Sequence, residues 1–72
     1  MPKTTLAILQ AGLLLAHELF HEAKEILTAA VAADPEEPAL HLLLGEVYEK
    51  TGLLELAVPE YREAEFLAKG NR

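Results

Sequence analysis

The sequence predicts an all-α fold of two helix-turn-helix hairpins in an antiparallel four-helix array, and three observations carry that prediction. Apolar residues recur at helical spacing in successive stretches separated by short turn signals. Displaced by thirty-four residues, the chain falls into register with itself: Leu6 with Leu40, Ala11 with Gly45, Leu14 with Tyr48, Ala23 with Ala57, Leu27 with Tyr61 and Ala30 with Ala64. That displacement is the length of a repeating helical hairpin. The matched positions are also sorted by size. Ala11, Gly45, Ala23, Ala57, Ala30 and Ala64 stand where paired helices must approach closely, and larger apolar residues stand where gaps need filling.

The first helix is expected to begin at Thr4 or Thr5, whose hydroxyl can accept a bond from a free backbone N–H, and to run to about Ala16. It is apolar nearly all round. The second should run from Leu19 or Phe20 to Ala33 and stop at Asp34-Pro35, because the residue before a proline is pushed out of the helical region. Pro35 and Pro38 bracket an acidic linker, Glu36-Glu37, and Pro38 suits the first position of the third helix, where its missing N–H costs nothing. That helix should continue to about Lys50 and end at Thr51-Gly52, with glycine free to turn left-handed. The fourth should start between Leu53 and Glu55 and fray near Lys69, Gly70 and Asn71. Pro59 lies just beyond its first turn and removes at most one internal hydrogen bond, so the helix is kept whole. The expected organisation is one domain over residues 1–72, with a first repeat at 4–35 and a second at 38–69.

Seventy-two residues make a small core, and there is no cysteine to brace it with disulfides or to bind zinc as thiolate. Hydrophobic residues make up 51% of the chain, more than so small a monomer easily hides, which points to burial against a partner or a second copy. The formal charge is −6, and no cluster of Lys or Arg is available to neutralise phosphates, so neither nucleic acid nor an anionic membrane is an expected partner. The absence of cysteine suits a reducing compartment, and a cytoplasmic location is expected. Lys3 and the run Leu6 to Ala16 have the outline of a signal peptide. Against that reading, Gln10 interrupts the run, a clean small-x-small cleavage site is missing, and Leu6, Ala11 and Leu14 are in register with the second unit. The run is also too short to span a membrane.

In the second unit, Leu44, Gly45, Tyr48, Gly52, Ala57, Tyr61 and Ala64 follow one another at a spacing that resembles the tetratricopeptide repeat, with His41 in place of the usual tryptophan and Lys69 in place of the closing proline. The first unit keeps Phe20, Ala23, Leu27, Ala30 and Asp34-Pro35, but carries Ala7 for the tryptophan, Gln10 where leucine is expected and Glu18 at the turn glycine. The resemblance implies an α-solenoid fragment that acts as a protein-binding scaffold, with no catalysis and no cofactor. It also implies a concave groove lined by the first helix of each hairpin: Thr5, Ile8, Leu9, Gly12 and Leu15, then Ala39, Leu42, Leu43, Glu46 and Glu49. Apolar at one end and acidic at the other, such a groove suits a peptide or amphipathic helix with basic flanks. Relatives that capture acidic chaperone tails use a polar clamp of lysines, asparagines and an arginine. Here Ile8, Leu9 and Leu43 occupy the groove instead.

One catalytic motif competes with the scaffold. His17-Glu18-Leu19-Phe20-His21 matches the H-E-x-x-H pattern, in which two histidines one turn apart on a continuous helix hold zinc while the glutamate activates water. The repeat register places His17 at a helix end and Glu18 in a turn, so the imidazoles should not share a face. Neither serine nor cysteine is present, and Thr4, Thr5, Thr28 and Thr51 have no paired base. Two further alternatives stay open. Ile8, Leu9, Leu42 and Leu43 can be core rather than partner surface, and the apolar surface can be satisfied by a homodimer, which continues the stack or buries one groove in another.

Overall fold

The computed structural model describes residues 2–70, and its helices are α1 (Lys3–Ala16), α2 (Phe20–Ala33), α3 (Pro38–Lys50) and α4 (Leu54–Ala68), with no strand among the described residues. α1 packs on α2 and α3 on α4, while α2 and α1 both rest on α3; α4 touches only α3. The result is a slab of 36 × 32 × 17 Å in which one hairpin is stacked on the next. So thin a body buries few large side chains completely, and Leu27, Leu40 and Val47 are the principal ones.

Both hairpins turn in the same way. At the end of α1 the Leu19 N–H donates to Leu14 O at 2.8 Å and the Glu18 N–H to Leu15 O at 3.0 Å. At the end of α3 the Leu53 N–H donates to Tyr48 O at 2.8 Å and the Gly52 N–H to Glu49 O at 3.1 Å. This paired bonding closes a helix through a residue in the left-handed conformation, here Gly52 at φ 82° and Glu18 at φ 61°. Glu18 thus adopts the glycine conformation of the other turn despite its side chain, which strains the backbone by roughly 1 kcal/mol.

The small residues lie where the helices cross. Ala11, Ala23 and Ala57 are buried, as are Gly45 and Ala64. Gly45 lies directly under the Tyr61 ring, so close that a Cβ there would stand 2.7 Å from it. In the first hairpin the same two positions are Ala11 and Leu27. The smaller ring-facing residue accompanies the larger partner, as close packing requires.

Several local expectations are corrected. α1 begins at Lys3 rather than at Thr4 or Thr5, and neither hydroxyl caps it. Pro2 precedes the helix at φ −59° and ψ 145°, and its carbonyl accepts from the Leu6 N–H at 3.1 Å, which starts the helix a residue early. The Thr4 hydroxyl instead donates to the Asp34 carboxylate at 3.0 Å, tying the start of α1 to the end of α2. Glu37, expected as linker, is the N-cap of α3 and accepts from the Ala39 N–H at 3.2 Å, with Pro38 in the first turn. α4 runs unbroken through Pro59. Its expected fraying at Lys69 and Gly70 appears as a turn after Ala68, and Asn71 lies outside the described residues.

Candidate functional site

The residues expected to line a groove fall into two groups. On α1, Thr5 and Leu9 are exposed, while Ile8 and Leu15 are half-buried against the core where α3 packs beside them. Gly12 is half-buried, yet a Cβ there would meet no atom within 4 Å. On α3, Leu42, Glu46 and Glu49 are exposed, Leu43 is half-buried against the core, and Ala39 sits with Leu42 in an open crevice between α3 and α4. Ile8, Leu15 and Leu43 thus pack against the core with part of their surface open, and the exposed members are Thr5, Leu9, Leu42, Glu46 and Glu49. Two of the open crevices, about 300 Å3 between α1 and α2 and about 350 Å3 between α3 and α4, are at the lower end of small-ligand sites and are lined chiefly by alanine and other apolar side chains.

Glu49 has one side-chain partner within the chain. The Tyr61 hydroxyl donates to its carboxylate at 2.6 Å, and the tyrosine pKa is pushed up to about 12 by burial, by that bond and by the charges of Glu49 and Glu46. Tyr61 remains a donor throughout the physiological range.

His41, in the place of the family tryptophan, is the buried polar residue of the core. Its Nε2 lies 2.7 Å from the Pro35 carbonyl and its Nδ1 2.8 Å from the Glu60 carboxylate. Both partners are acceptors, so only an imidazolium donates to the two at once. Burial alone would lower its pKa. The Pro35 bond, the Glu60 bond and the charges of Glu60 and Glu63 outweigh it, and the pKa stands above the usual histidine value. The sequence register located His41 but could not show these partners, because Glu60 is nineteen residues away on another helix.

The H-E-x-x-H segment is broken by the turn. His17 is the residue that ends α1, Glu18 is left-handed, and α2 starts at Phe20, leaving His21 alone on the next helix with Glu25 at 3.2 Å. The two imidazoles do not project from one helical face, which is what the H-E-x-x-H arrangement requires. Among the described residues no group of three or more His, Asp or Glu side chains converges as a metal site, and no helix is long and apolar enough to cross a membrane.

Compared with known proteins, the chain matches the family model described as "Tetratricopeptide repeat" over residues 8–72. No curated protein and no solved structure matches it. Two hairpins with identical turns, small residues at the crossings and a family match over nearly the whole length lead to one conclusion: the chain belongs to the tetratricopeptide-repeat family, whose members are all-helical, generally non-catalytic protein–protein interaction modules.

Proposed function

We propose that the chain binds a protein segment across the exposed face of α1 and α3, and that the segment is a peptide or amphipathic helix with apolar anchors and basic flanks. The observation that carries this reading is the pairing of exposed leucines, Leu9 and Leu42, with exposed carboxylates, Glu46 and Glu49, on the first helices of the two hairpins. Exposed apolar side chains rimmed by one sign of charge favour a partner of opposite charge with an apolar stripe. The chain acts here as one binding unit made of both repeats, residues 4–35 and 38–69. The alternative of a homodimer closed groove to groove is disfavoured, because each copy would contribute Glu46 and Glu49 to the contact and no basic side chain among the groove positions to offset them.

The test is fluorescence anisotropy with labelled amphipathic peptides that share an apolar face and differ only in Lys or Glu flanks. Binding of the Lys-flanked peptide, weakened at least about tenfold by Leu9→Glu and reversed in charge preference by Glu46→Lys/Glu49→Lys, is the expected result. Equal binding of both peptides, or none of either, would reject the groove.

A further inference from the structure

The outer face of α1 carries exposed leucines at positions that are buried in the second hairpin. Leu13 is 64% exposed, whereas Val47, its match thirty-four residues on, is 1% exposed; Leu6 is 45% exposed, whereas Leu40 is fully buried. What covers Val47 and Leu40 inside the chain is α2, which packs on α3 and shares one core cluster with it. The opposite end of the slab shows the complementary deficit. Leu54 is exposed on α4 where its match, Phe20, is half-buried in the α2–α3 junction beside Val47, Thr51 and Leu53. The same register on a neighbouring molecule would set Leu54 beside Leu13, His17 and Leu19.

We infer that α4 of one copy docks on the outer face of α1 of a second copy, repeating between molecules the packing that joins α2 to α3 within each. Charge favours this arrangement over a pairing of like faces. α1 carries Lys3 and no carboxylate, while α4 carries Glu55 and Glu63 against Arg62 beyond Glu60, which is held by His41, and Glu65, which lies 3.4 Å from Lys69, so two α4 faces would gather like charge and α1 would not add to it. Because the two contacting faces differ, the association is head-to-tail and does not close at a dimer.

Sedimentation equilibrium on the whole chain tests the inference, with Leu13→Glu blocking one end and Leu54→Glu the other. Both residues are exposed, and circular dichroism verifies that each variant keeps wild-type helicity. The average mass of the wild type should rise with concentration without a plateau at the dimer, and each variant alone should be monomeric. Mixed in equal amounts, the two variants should form a one-to-one dimer, since each supplies the face the other lacks. A wild type that stays monomeric would overturn the inference. So would a dimer that survives Leu54→Glu, or a mixture that remains monomeric.

Discussion

At the scale of single residues, the Gly45–Tyr61 contact and its counterpart Ala11–Leu27 make a natural pair of controls. Replacing a mid-helix glycine by alanine ordinarily stabilises a helix by roughly 1 kcal/mol, but at Gly45 the new methyl meets the Tyr61 ring at 2.7 Å, and such overfilling costs about 1–3 kcal/mol. Gly45→Ala should therefore lower the denaturant midpoint. Adding Tyr61→Leu recreates the pair already present in the first hairpin and should restore most of the loss. Gly12→Ala, with open space around its Cβ, should raise the midpoint instead. His41 makes a separate prediction. Its pKa is raised on folding, so its ionic contribution is complete below the unfolded value of about 6.5 and is lost as pH rises through the higher folded value. The melting temperature should fall between slightly acid and slightly alkaline pH, and His41→Leu should flatten that fall. The residue match points to His41 as an aromatic substitute; the two acceptors that raise its pKa are not visible in the sequence, because one is a backbone carbonyl and the other lies on α4.

At the scale of elements, the turns decide which hairpin is the weaker. Gly52 adopts its left-handed conformation freely, while Glu18 does so against its own side chain. Glu18→Gly should stabilise the chain by about 0.5–1 kcal/mol and Gly52→Ala should destabilise it by a similar amount or more, both read from urea midpoints. Ala57, buried at the α3–α4 crossing, should tolerate no growth: Ala57→Leu should cost about 1–3 kcal/mol. Helix positions were legible because prolines, the turn glycine and the small-residue spacing all bear on the backbone directly. The start of α1 differs from the expectation at Thr4. Its hydroxyl could serve either as a cap or as a cross-link, and Asp34, thirty residues away, offers the second role. Glu37 was read as linker because a carboxylate two residues before an alanine becomes a cap only once Pro38 has fixed the helix start.

At the scale of the whole molecule, exposure follows neighbours more than residue type. Leu6, Leu13 and Leu54 are apolar and exposed at places where a hairpin on either side would cover them, and the matched positions within the chain are buried or half-buried for that reason. This is why the sequence, which places Ile8, Leu15 and Leu43 on the groove side of their helices, does not reveal that they also pack against the core. The repeat pattern records which face of a helix a position occupies, but the number of stacked hairpins determines whether that face is covered. It also accounts for the high apolar content of a chain with so few fully buried large side chains.

One packing unit is used twice in the fold, and the inferred stacking requires that its two ends can extend the array. A tandem chain in which Thr4 of a second copy follows directly after Asn71 of the first keeps the thirty-four-residue spacing across the join. Its thermal unfolding, compared with that of the single copy, measures the claim directly. One cooperative transition at a midpoint several degrees higher is the result predicted for units coupled to their nearest neighbours. A tandem that melts at the midpoint of the single copy, or in two separate steps, would contradict it.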